Sequence, residues 1–204
     1  MTVSISRLYN TNIEARTAVR DLEAAGVSHG DISIIASNAD DSYDEKTKTF
    51  PDRDLDGRDD RAEGAGTGAG IGAVAGGTIG VLTGLGLMAI PGVGPVVAAG
   101  WLASLLVGAA AGGAAGGIIG ALSQAGVNEE DAQVYAEGLR RGGAVVSARV
   151  NDADAPRLQA LMDRSAVRIA DRAAAYRTSG WNSYSPTATP YPREQVLKER
   201  SMYR

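Results

Sequence analysis

Residues 52–63 read DRDLDGRDDRAE, which fits the pattern D-x-D-x-D-G-x5-E. In a calcium loop of this spacing Asp52, Asp54 and Asp56 supply oxygen ligands, Gly57 makes the sharp turn, and Glu63 closes the shell with both carboxylate oxygens. Three features oppose that reading. Asp59 stands where such loops place an apolar residue, Pro51 breaks an entering helix, and no second loop is present to pair with this one. The competing reading is a solvated acidic hinge. Calcium is the one cofactor that the residues suggest.

Little else in the chain offers chemistry. His29, in VSHGD, is the single histidine, and there is no cysteine. One imidazole without thiols supports neither a zinc site nor a Ser-His-Asp triad. The glycine-rich stretches contain G-x-G but lack the third glycine of G-x-G-x-x-G, and no Gly-Lys pair marks a P-loop. No catalytic residue and no enzyme are expected. The net charge of -4 argues against nucleic acid as a partner. Absence of cysteine suits a reducing cytoplasm, and MTVSISRLYN has no basic region followed by an apolar run, so no signal peptide is expected.

The spacing of small residues is the strongest pattern. Gly64, Gly68, Gly72, Gly76, Gly80 and Gly84 recur every four positions, and so do Gly100, Ser104, Gly108, Gly112, Gly116 and Gly120. Residues four apart stack on one side of an α-helix, so each series predicts a smooth groove into which a second backbone can pack. IPGVGP at 90–95 would turn between the two arms. The expectation is a glycine-zipper helical hairpin over 64–127. Residues 64–128 carry no charged side chain. Arms of 25–28 residues at 1.5 Å each would exceed the roughly 30 Å of bilayer hydrocarbon. The leading expectation is a hairpin in or on the membrane, with the lipid bilayer and further copies of the chain as partners. The alternative buries the hairpin between subunits of a soluble oligomer, since the flanks are acidic and lack the lysines and arginines of positive-inside loops.

The elements on either side must position this segment. VSISRLY suits a strand; Thr11 and Glu14 then form a capping box before IEARTAVRDLEAAG, and DISIIAS at 31–37 is a second strand. After the glycines, Asn128 caps EEDAQVYAEGLRR, followed by strand AVVSARV (144–150), helix DAPRLQALMDRS and a fourth strand, AVRIAD (166–171). The fold class expected is α+β, a small four-stranded ferredoxin-like sandwich split over 1–37 and 128–171. An acidic linker fills 38–63. Residues 172–204 are a Pro- and Tyr-rich extended tail, with one short helix in REQVLKER. Trp181, Tyr184 and Tyr191 are its expected anchors, on a neighbouring subunit or on its own domain. Charge is uneven: 14 acids against 8 bases over 1–63, and 6 against 12 over 138–204.

Three stretches, IEARTAVRDLEAAGVSHGDISIIAS, GLGLMAIPGVGPVVAAG and ALSQAGVNEEDAQVYAEGLRRGGAVVSARV, together resemble the bacterial heat-induced or general stress proteins with a YflT-like domain. YRTSGWNSYSPTATPYPREQVLKER is also similar to the end of such proteins. The resemblance implies a small α/β domain, a stress-linked role and no known catalytic residues. The expected function is a non-enzymatic stress-response protein that self-assembles through the hairpin, on the cytoplasmic side of the inner membrane or in the cytoplasm.

Overall fold

The structure, a computed structural model, describes residues 1–40, 86–111 and 117–203. Strand β1 (Thr2–Tyr9) leads into helix α1 (Asn12–Ala24) and strand β2 (Ile32–Ser37). The capping box forms: Glu14 N donates to Thr11 Oγ1 at 3.2 Å, and Thr11 N to Glu14 Oε2 at 3.1 Å. Gly26 takes the left-handed φ of +94° just beyond the helix. Strands β3 (Gly86–Ile90) and β4 (Gly94–Ala99) follow, then helices α2 (Trp101–Ala111), α3 (Gly117–Gln124) and α4 (Glu129–Arg140). Strand β5 (Ala144–Asn151) and helices α5 (Ala155–Met162), α6 (Ile169–Thr178) and α7 (Arg193–Met202) complete the chain.

The five strands form one antiparallel sheet in the order β1-β5-β2-β4-β3. The class is α+β. Strand β5 is central to the outer three, pairing Tyr9 with Ala144 on one side and Ala36 with Ala144 on the other. Side chains alternate across the sheet. One face gathers Ile5, Tyr9, Ile34, Val146 and Ala148 under Val19 and Leu22 of α1 and Leu158 and Met162 of α5. The opposite face gathers Leu8, Ile35, Val96 and Val145 under Leu102, Leu106, Ile118, Leu122, Tyr135 and Leu139 of α2, α3 and α4. Helices therefore cover both faces of the sheet.

A row of buried serines crosses this second face. Ser6 is paired with Ser147, and Ser147 with Ser33. The Ser6 and Ser147 hydroxyls lie 2.8 Å apart, Ser33 Oγ donates to the Ala99 carbonyl at 2.6 Å and accepts from Leu102 N, and the Tyr135 hydroxyl donates to the Ser6 carbonyl at 2.9 Å. Each buried hydroxyl thus has a partner. Small serines also let α2 start close to the sheet. Gly100, at φ +85°, brings its backbone so near β2 that a Cβ would strike the Ile32 carbonyl and Ser33 Cα.

Several sequence expectations need correction. The helical hairpin expected over 64–127 does not form across 86–99, which is a β-hairpin belonging to the main sheet. Pro95 would lack its helical N–H and clash in a helix interior, whereas Gly92 and Gly94 take φ of +72° and +109° and turn the chain sharply. That stretch is part of the α+β domain and not a separate insertion. The second arm is helical only from Trp101. The fourth strand at 166–171 is absent; Ile169 opens α6, because IADRAAAYRT is alanine-rich and favours helix. Only Val167 N reaches the β1 edge, donating to the Leu8 carbonyl at 2.7 Å. The tail is not wholly extended: it contains most of α6 and all of α7, the latter where REQVLKER predicts a helix.

Candidate functional site

Of the zipper residues, Ser104 and Gly120 face open space within this chain. Ser104 is exposed on α2, and a Cβ at Gly120 would meet nothing within 4 Å. Gly100 precedes α2 and packs on β2. Gly108 lies within α2. Gly64, Gly68, Gly72, Gly76, Gly80, Gly84, Gly112 and Gly116 lie outside the described residues, as do Asp52, Asp54, Asp56 and Glu63 of the acidic loop. His29 is a surface residue whose Nδ1 lies 2.7 Å from Glu23 Oε1. Among the described residues no group of three His, Asp or Glu side chains is placed to hold a metal.

The densest polar chemistry lies where the C-terminal segment crosses the domain. Helix α6 packs Tyr176 and Ala173 against Val134 of α4, and Gly180, at φ +88°, ends it so that Trp181 folds back. Tyr176 and Trp181 meet edge to face, 5.9 Å between centroids. The chain then passes over the β3–β4 turn. Tyr184 Oη donates to the Pro91 carbonyl at 2.5 Å, and Ser185 and Pro190 sit where a Cβ on Gly92 or Gly94 would be. Trp181, Tyr184 and Tyr191 all contact their own chain. Trp181 is buried, Tyr184 holds the turn, and Tyr191 lies under the Arg140 guanidinium at 4.3 Å.

Helix α7 closes the strap. Val196 is fully buried and occupies the space above Gly142. Arg200 donates to the Gly142 carbonyl from Nε at 3.0 Å and from a terminal nitrogen at 2.8 Å, and pairs with Asp40. Glu199 accepts from Arg141 at 3.1 Å. At the end of the described chain the Tyr203 ring lies 3.6 Å from the Arg172 guanidinium, and its carbonyl accepts from Asn10 Nδ2. Chain start and chain end are thereby joined.

Glu137 is the hub. It is 2% exposed, and accepts from Arg140 at 2.8 and 3.0 Å and from Arg141 Nε at 2.6 Å. A carboxylate this deep is stable only with such partners. The Arg141 guanidinium lies 4.3 Å from the Tyr176 ring centroid and 5.6 Å from that of Tyr191. Burial alone would lower its pKa, but the Glu137 and Glu199 contacts hold it above the usual arginine range. Burial raises the Tyr176 phenol.

Two spaces adjoin the hub. A cavity of about 20 Å³, room for about one water, is lined by Asn10, Arg172, Glu199 and Tyr203 among others. A broad open crevice of about 380 Å³ is bordered by Arg140, Trp181, Ser183 and Tyr191. The indole N–H of Trp181 has no hydrogen-bond partner. This is a fastening built of ion pairs and aromatic contacts.

Sequence reasoning missed Glu137, Arg141, Arg172 and Arg200. The available signal was a second stripe on α4: Val134, Glu137, Gly138 and Arg141 recur at three and four, beside the apolar stripe of Ala132, Tyr135, Ala136 and Leu139. Two stripes mean two contact surfaces.

The fold and site define an α+β protein whose C-terminal segment is bound across its own sheet and helices. Comparisons with models of protein families, with curated proteins and with solved structures find no match.

Proposed function

We propose that this chain is a non-enzymatic, self-assembling protein whose small-residue segment joins copies, and whose α+β domain with its C-terminal strap is the folded head. We read the head as a ferredoxin-like core, β1–α1–β2 with β5 between the two strands, extended by β4 and β3. The observation that carries the reading is the outward stripe on α2 and α3. Ser104 is exposed on α2, and Gly120 on α3 leaves open space where a side chain would stand. Both belong to the four-residue series of residues 100–120, and a like series runs through residues 64–84 of the same uncharged segment. Small residues with nothing against them let another backbone approach closely. The role in stress responses follows from the sequence resemblance alone.

A second reading, association with the membrane, is favoured by the absence of charge over 64–128. Among the described residues no helix is long and apolar enough to cross a bilayer. The test is particle size. Purified without detergent, the chain should sediment as an oligomer, and Ser104→Lys with Gly120→Lys should disperse it without changing its circular dichroism. An unchanged oligomer would sink the stripe as the joining surface. Particles that form only with lipid vesicles would favour the second reading.

A further inference from the structure

Helix α7 and its seat match residue by residue. Val196 fills the space over Gly142, Arg200 bridges the Gly142 carbonyl and Asp40, and Glu199 meets Arg141. Val196 is nevertheless the one buried residue of the helix; Leu197 and Met202 are 48% and 54% exposed. Charge complementarity and a glycine cradle hold the helix, with little apolar area. The helix hangs on a connector, residues 182–192, that contains Pro186, Pro190 and Pro192. One turn folds this connector back, with Ala188 N donating to the Ser185 carbonyl at 3.1 Å. Pro at the second position of that turn suits it, and prolines on either side keep the rest extended.

We propose that the seat is also the docking site for α7 of a second copy, so that two chains exchange their C-terminal helices. Every copy carries both halves of the match. Opening the Ser185–Ala188 turn in two neighbours lets each helix enter the other's seat with all its contacts retained, as in other exchanged dimers. Docking within one chain benefits from a local concentration of about millimolar order, so exchange grows where copies are crowded. The exchange uses no residue of 64–128 and stands whether or not the small-residue stripe joins copies.

Charge reversal across the Asp40–Arg200 pair tests it in the full chain. Asp40→Arg alone sets two arginines face to face, and Arg200→Glu alone sets two acids. Each variant alone should lose protection of residues 193–203 against limited proteolysis, by about tenfold in cleavage rate. Mixed in equal amounts, the two can satisfy both pairs only by exchanging helices, so protection should return and native mass spectrometry should show a one-to-one heterodimer. The double variant Asp40→Arg/Arg200→Glu should be protected by itself. If the reversed pair is not tolerated, a mixture of Val196→Asp with Asp40→Arg gives one sound seat and one sound helix, and half of the protection should return. Mixtures cleaved as fast as the separate variants would overturn the proposal, as would single variants that stay as protected as the parent.

Discussion

Replacing Glu137 by Ala is the sharpest probe of the strap. The side chain accepts three N–H bonds from two guanidiniums at 2.6–3.0 Å while 2% exposed. Removing one partner of a buried ion pair costs about 3–5 kcal/mol. Arg141 would keep Glu199 and Ser179, and the Arg140 side chain is 16% exposed, so the lower end applies, about 3 kcal/mol. Glu199→Ala removes a single bond of 3.1 Å from a side chain 12% exposed, worth about 1.5 kcal/mol. With a denaturant slope of about 2 kcal/mol per molar urea, the midpoints should fall by about 1.5 M and 0.7 M. The paired change Glu137→Leu/Arg141→Met fills the space with apolar atoms and should recover part of the loss, the Arg140 guanidinium still lacking its carboxylate. Equal midpoint shifts for Glu137→Ala and Glu199→Ala, or a shift under about 0.5 M for the former, would refute the assignment of Glu137 as the hub.

Tyr135 is pushed up to about 12 by burial, from 10.0 for the free phenol. The unfolded chain ionises first, so stability is intact below pH 10 and falls as pH rises from 10 to about 12, by about 3 kcal/mol for this group. Alkaline urea titrations should show a fall to which the buried Tyr9 and Tyr176 phenols also contribute, and Tyr135→Phe should make it smaller by about this amount while losing the bond to the Ser6 carbonyl. Gly100→Ala meets both a left-handed φ and the Ile32 carbonyl; it should lower thermal stability by at least about 2 kcal/mol by calorimetry. Gly26→Ala has the same sign of φ but no atom within 4 Å, so its loss should be about half as large.

Local signals were the legible part. Thr11 with Glu14, Asn128, Gly26 and Gly142 mark helix ends by backbone rules that need no partner, and both flanking helices form where those residues put them. β1, β2 and β5 were legible as short runs rich in Val and Ile, with Val3 and Ile5 two apart in β1. The turn at IPGVGP was legible, but the strands of the β-hairpin at 86–99 were not, because GLMAIPGVGPVVAA sits between glycine series whose four-residue period suggests helix. Its strand character comes from pairing with β2, a contact across some sixty positions: Ile34 opposite Ala99. The hub failed to show for a similar reason. Glu137 and Arg141 look like a solvated i,i+4 pair until α6 and α7 arrive from forty to sixty residues downstream and cover them. Side chains that are exposed by pattern but buried by distant segments leave almost no local trace.

The place of β5 in the sheet governs how the chain comes together as it is made. β1 and β2 do not touch as partners; each pairs with β5, which lies between them. Until residue 151 has emerged, β1 has no neighbour, and the sheet is limited to β2, β4 and β3. At translation rates of about 5–20 residues per second, some hundred residues separate β2 from β5 by roughly 5–20 s. By the end of that interval the uncharged segment has left the ribosome while the domain that should flank it is still incomplete. Neighbouring nascent chains on one message would therefore present their apolar stretches to each other before their heads can close. The strap comes later still, since its seat at Gly142 and Glu137 precedes it by more than fifty residues. The head and its strap therefore close only after the whole uncharged segment has been made.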